Sequence, residues 1–94
     1  MQFEWDDAKD TSNQHKHGIN FDLASLVFFD PSRIERYDGR EHYGEDRWIT
    51  IGLVNPALLY VVYTLRVQDD ETIRLISARK ANESERRAYY QANH

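Results

Sequence analysis

A few side chains in this 94-residue sequence have the types that phosphoryl chemistry asks for: Lys16 and His17 ahead of Gly18, Glu45 two places before Arg47, and Arg66 and Arg79 near the ends of apolar runs. Cleaving a phosphodiester without a metal needs a base for a 2′-hydroxyl proton, a proton for the leaving oxygen, and fixed cations for the charge that builds on phosphorus. Glu45 or His17 could serve as base or acid, and Arg66 and Arg79 could hold that charge. Trp48 and Tyr43 could stack a base, although aromatics more often anchor a core or a loop. The blander reading has Lys16 and His17 answering a helix dipole and the arginines solvating strand ends.

Other chemistries find little support. His15 and His17 are two apart, so on a helix they point roughly opposite ways, and with His42 they make a poor ligand set. No metal site is expected. Cysteine is absent, as are a glycine-rich phosphate loop and a serine in a Gly-x-Ser-x-Gly setting, and no cofactor is expected.

The elements that must position these residues follow from local signals. Asp6 is an N-cap candidate, and a helix over 7–17 can end on Gly18 as its C′ residue. Its stripe of Trp5, Ala8, Ser12 and His15 is thin, which places it on the surface. Asn20 can cap a second helix over 21–28, with Leu23, Ala24, Val27 and Phe28 as its apolar face, before Asp30-Pro31 stops it. Residues 33–37 read as a weak strand, followed by a polar loop from Asp38 to Gly44. Residues 47–54 are a strand, Asn55-Pro56 a tight turn and 58–67 a long apolar strand. An acidic turn over 68–71 precedes a strand over 73–81, and Asn82 with Glu85 matches a capping box opening a helix over 83–92. With the short extended stretch Phe3-Glu4-Trp5, the order is β-α-α-β-β-β-β-α. That is an α+β fold: an antiparallel sheet with two N-terminal helices and one C-terminal helix, packed on one face.

Alternation then assigns the faces. On the 58–67 strand, Leu59, Val61, Tyr63, Leu65 and Val67 should face the helices, and Arg66 the open side. On the next strand, Ile73, Leu75, Ser77 and Arg79 share one face, and Arg74, Ile76, Ala78 and Lys80 the other. The hairpin brings Arg47 to the Arg66 end. Whether Arg79 reaches that end depends on register and twist.

Composition bounds the rest. Forty per cent apolar and 13% aromatic residues exclude a disordered chain and fit one domain over 1–94, and no run approaches the ~18 apolar residues of a membrane span. The amino terminus lacks the basic start and apolar run of a secretory signal, so a cytoplasmic location is expected. The net charge of −4 divides into −5 over residues 1–45 and +1 over 46–94, where six of seven cations are arginine. Arginine favours bidentate recognition of carboxylate or phosphate, but a net acidic chain predicts weak, salt-sensitive binding to nucleic acid.

An ordered set of short motifs runs along nearly the whole chain: Phe3-Glu4-Trp5-Asp6-x-x-Lys9, Asn13-x-x-Lys16-His17-Gly18-Ile19-x-Phe21, Val27-Phe28-x-Asp30-Pro31, Gly44-Glu45-x-Arg47, Arg74-x-Ile76-Ser77-Ala78-Arg79-x-Ala81 and Glu85-Arg86. It resembles the BrnT family, the toxin half of BrnT/BrnA toxin–antitoxin modules. The resemblance implies a RelE-like ribonuclease fold, RNA cleavage that stops translation, and neutralisation by a BrnA-like antitoxin that also binds the operator, so that DNA is contacted only indirectly. Carried over by position, it places function on Lys16-His17-Gly18, Gly44-Glu45-x-Arg47, Arg66 and Ile76-Ser77-Ala78-Arg79. The expected catalytic residues are His17, Glu45, Arg66 and Arg79, with Lys16 and Arg47 as substrate contacts. The competing expectation is a non-catalytic binding or regulatory module whose arginines grip a partner's carboxylates.

Overall fold

The computed structural model describes residues 1–40, 44–66 and 69–93. In chain order they form β1 (Gln2–Glu4), α1 (Asp7–His17), α2 (Phe21–Ser25), a 3-10 turn (Leu26–Phe29), β2 (Ile34–Asp38), β3 (Arg47–Val54), β4 (Ala57–Arg66), β5 (Asp69–Lys80) and α3 (Glu83–Ala92). This is the α+β layout and the element order read from the sequence. The expectations placed on His42, Tyr43 and Val67 lie outside the described residues. Asp69, Asp70 and Glu71, read as part of an acidic turn over 68–71, belong instead to β5, which begins at Asp69, and Gln68 lies outside the described residues.

The sheet has the order β1-β5-β4-β3-β2 and is antiparallel except at one edge. There β1 runs parallel to β5, pairing Phe3 with Ile73 and Glu4 with Arg74, so the sheet is mixed. The parallel strand seats Phe3 against Phe28, ring centroids 5.5 Å apart. Pairing with β1 ends at Arg74, and further along the same edge α1 takes over. The Asn13 amide donates to the Ala78 carbonyl at 2.8 Å and accepts from the Ala78 N–H at 3.1 Å, as a strand's peptide would, and also donates to the Ile19 carbonyl at 2.9 Å. The inward contact of α1 is therefore not the expected Ala8, Ser12 and His15, which are exposed, but the buried Asn13. A strand edge asks its cover for hydrogen bonds, which an apolar stripe does not supply.

The second helix stops at Ser25 rather than running to residue 28, and tightens into the 3-10 turn that turns Val27 and Phe28 inward. Leu23, expected on its apolar face, is exposed.

The helices do not share one face. Phe21, Ala24, Val27 and Phe28 pack on Leu59, Val61, Tyr63, Ile73, Leu75 and Ala78, whereas Tyr89 of α3 packs on Ile49, Ile51 and Leu58 from the opposite side. The central strands are apolar on both faces, and the second face needs its own cover.

Strict alternation also fails on β5. Val62 pairs with Ser77 but Tyr63 with Leu75, leaving Ile76 as an extra residue in a β-bulge. Beyond it Ala78 joins Leu75 in the core, while Arg79 stands opposite Tyr60, away from the Ile73–Leu75 face to which alternation had assigned it.

Candidate functional site

Where β4 ends and β3 begins, Glu45, Trp48, Thr64, Leu65, Arg66 and Arg74 line a groove of about 590 Å³. Its geometry follows from register. Thr64 is paired with Arg74, and Arg66, two residues on, lies on the same face. Glu4, paired with Arg74 across the parallel edge, reaches both cations: its Oε1 meets Arg66 Nε at 2.9 Å and its Oε2 meets Arg74 Nη1 at 2.8 Å. One carboxylate thus holds two guanidinium groups side by side across three strands. Glu45 pairs with Arg47 at 3.2 Å, and the Thr64 hydroxyl donates to the Asp46 carbonyl, tying down the start of β3.

The residues singled out from the sequence divide among three places. Glu45 and Arg66 line one groove, and Arg47, brought to that end by the hairpin, joins it through its ion pair with Glu45. Arg79 does not join them: its two terminal nitrogens donate to the two oxygens of Glu85, each at 2.8 Å, and its guanidinium lies 3.9 Å from the Tyr60 ring centroid. The hydrogen bonds from Arg79 pull the Glu85 carboxyl below its ordinary range, and Glu85 raises Arg79 in turn. Glu85 also accepts from the Asn82 N–H at 2.9 Å, so Arg79 is built into the cap of α3. Tyr60, the partner of Arg79, is six residues before Arg66, about 20 Å along β4. Lys16 and His17 are exposed in the last turn of α1. Its 11 residues carry them about 16 Å along the helix axis, past the Asn13–Ala78 contact.

Sequence reasoning missed Glu4 and Arg74 as a pair, because it could not see β1 pairing parallel to β5. It also missed a cluster on the opposite face at the same end of the sheet. There a hollow of about 360 Å³ contains Arg33, Glu35 and Tyr63, and shares Trp48 and Leu65 with the groove. Glu35 Oε1 accepts from the Tyr63 hydroxyl and from Arg33 Nη1, the latter at 3.0 Å. Arg33 also donates to Thr50 Oγ1 at 3.2 Å and lies 4.9 Å over the Phe28 ring. Burial pushes Glu35 up, but the bonds from Tyr63 and Arg33 outweigh it and hold the carboxyl below its ordinary range; burial and Glu35 push the Tyr63 hydroxyl up. A signal was available. Alternation over 33–37 puts Arg33 and Glu35 on one face, and a tyrosine in the apolar row of β4 needs a partner for its hydroxyl.

Among the described residues no three His, Asp or Glu side chains gather as metal ligands, and no helix is long and apolar enough to cross a membrane. A family model described as a ribonuclease toxin, BrnT, of type II toxin–antitoxin systems matches residues 5–85. No curated protein matches the chain.

Proposed function

With residues 5–85 of its 94 matched, the chain belongs to the BrnT family of ribonuclease toxins of type II toxin–antitoxin systems, and on that premise we propose a metal-independent endoribonuclease that inhibits translation in the cytoplasm until a BrnA-like antitoxin neutralises it. Membership implies an RNA substrate and a protein antitoxin. DNA would be reached only through that antitoxin.

The observation that carries the proposal is the convergence of Arg66 and Arg74 on Glu4, beside Glu45. Guanidinium groups only donate, and two held side by side match the non-bridging oxygens of a phosphodiester, where charge grows in the transition state. Glu45, acceptor-only when ionised, takes the 2′-hydroxyl proton once Arg47 turns to the substrate. The 2′-oxygen then bonds to phosphorus and the bond to the 5′-oxygen breaks. Water protonates the departing oxygen, leaving a 2′,3′-cyclic phosphate and a 5′-hydroxyl. Arg79 is assigned to the α3 cap, and Lys16 and His17 stand outside the catalytic set.

The purified chain is expected to cleave RNA in EDTA, and expression without antitoxin to arrest growth. Arg66→Ala combined with Arg74→Ala should lower cleavage by about a hundredfold or more, with little change in melting temperature. A folded wild-type chain that neither cleaves RNA nor arrests growth would return these arginines to gripping the carboxylates of a protein partner.

A further inference from the structure

The hollow on the opposite face has no part in the mechanism above, and its chemistry differs from that of the groove. Met1, Phe28, Trp48, Leu65 and Ile73 wall it, and its polar side chains are Arg33, Glu35, Tyr63 and Glu71, of which Arg33, Glu35 and Tyr63 are bonded to one another through Glu35. At about 360 Å³ it falls among small-molecule sites, which are mostly apolar with a few placed polar groups. Such walls suit a flat ring rather than a phosphate. Because Trp48 and Leu65 line both cavities, an RNA strand with a phosphate at Arg66 and Arg74 passes directly beside this one.

Arg33 and Glu35 decide which ring fits. The bonds from Tyr63 and Arg33 both fall on Oε1 of Glu35, and the Glu35 side chain is 42% exposed. An ionised carboxylate only accepts and a guanidinium only donates, so the pair presents an acceptor next to a donor. Guanine alone among the four bases carries two adjacent N–H donors beside an acceptor on its Watson–Crick edge. We propose that this hollow binds a guanine base of the RNA, with Glu35 accepting from N1–H and N2–H, Arg33 donating to O6 and Trp48 stacking on the ring; the assignment rests on the groove being the path of the strand. Tyr63 and Thr50 hold the two reading groups in place from the core side.

Nucleosides carry no phosphate and so probe the hollow without the groove. With the wild-type chain titrated by guanosine, adenosine, cytidine and uridine at up to millimolar concentration, and the Trp48 indole N–H followed by NMR, guanosine should bind about tenfold or more tightly than the others. Glu35→Gln, which keeps an oxygen for Tyr63, should erase that preference, and Arg66→Ala should leave it unchanged. Equal affinities, or no binding of guanosine, overturn the proposal. Should Glu35→Gln fail to fold, the wild-type comparison still decides. If Arg66→Ala with Arg74→Ala stops cleavage while guanosine is not selected, the hollow falls and the groove stands. If guanosine is selected while that double variant cleaves normally, the hollow stands alone.

Discussion

Arg66 and Arg79 each stand near the end of an apolar strand, and what separates them is the carboxylate each one meets. Arg66 shares Glu4 with Arg74 at an open groove and is 56% exposed; Arg79 is held by both oxygens of a Glu85 that is 14% exposed. Removing Arg79 leaves a mostly buried carboxylate without its main partner, so Arg79→Ala is expected to lower stability by about 1 kcal/mol, by urea unfolding, while cleavage per folded molecule stays at the wild-type level. A loss of cleavage without a loss of stability would return Arg79 to the catalytic set. The same distinction explains the legibility of the site. Residue type and the hairpin were enough to bring Glu45, Arg47 and Arg66 together. The partners Glu4 and Glu85 are 62 and six residues away from the arginines they hold, and only contact identifies which pair stays open to solvent.

At the scale of elements, the local signals held. The Asp6 side chain accepts from the Ala8 and Lys9 N–H groups, Asn20 from Leu23, and Asn82 with Glu85 forms the reciprocal box at the start of α3. What failed were inferences that assume uniform geometry. The bulge at Ile76 changes the faces of everything after it, and the 3-10 turn ends α2 early. That turn lies very close to β3. A Cβ added at Gly52 would come within 2.6 Å of Val27 Cγ2 and 3.1 Å of Arg33 Cβ. Gly52→Ala is therefore expected to cost about 1–3 kcal/mol in thermal or urea unfolding, and to disturb the Arg33 side of the hollow. An alanine tolerated there without loss would show that the turn has room to move away.

At the scale of the whole molecule, Asp30, Glu35 and Glu85 each link separate elements, and their depressed carboxyls set the response to acid. Asp30 accepts from the Leu53 and Ser32 N–H groups, each at 2.8 Å, and from the Tyr89 hydroxyl at 2.7 Å, joining the exit of the 3-10 turn to β3 and α3. Burial raises its pKa, but these bonds and the Arg33 charge carry it below its ordinary 3.8. Glu35 and Glu85 are also depressed, from 4.5. A depressed carboxyl contributes stability that is fully present above its unfolded pKa and is lost as pH falls through the folded one, so the acid loss should begin near pH 4 and deepen below it. Tyr89, pushed from 10 up to about 12 by burial and then by Asp30, has the opposite sign: its contribution is intact below pH 10 and is lost as pH rises toward 12. Thermal melts should show a plateau between these limits, and a stability midpoint near neutrality would contradict the assignment of these links.

The sequence by itself determined the element order, the caps, the central hairpin and the family pattern, because each rests on neighbours within a few residues or on motifs in linear order. Only the tertiary structure decided that β1 is parallel, that α3 covers the second face, that Asn13 serves as a substitute strand partner, and that Arg74 rather than Arg79 stands beside Arg66. These depend on register and on which polar groups are left to pair once the strands have met. A bulge of one residue, or a carboxylate arriving from the far end of the chain, changes the answer without altering any local signal.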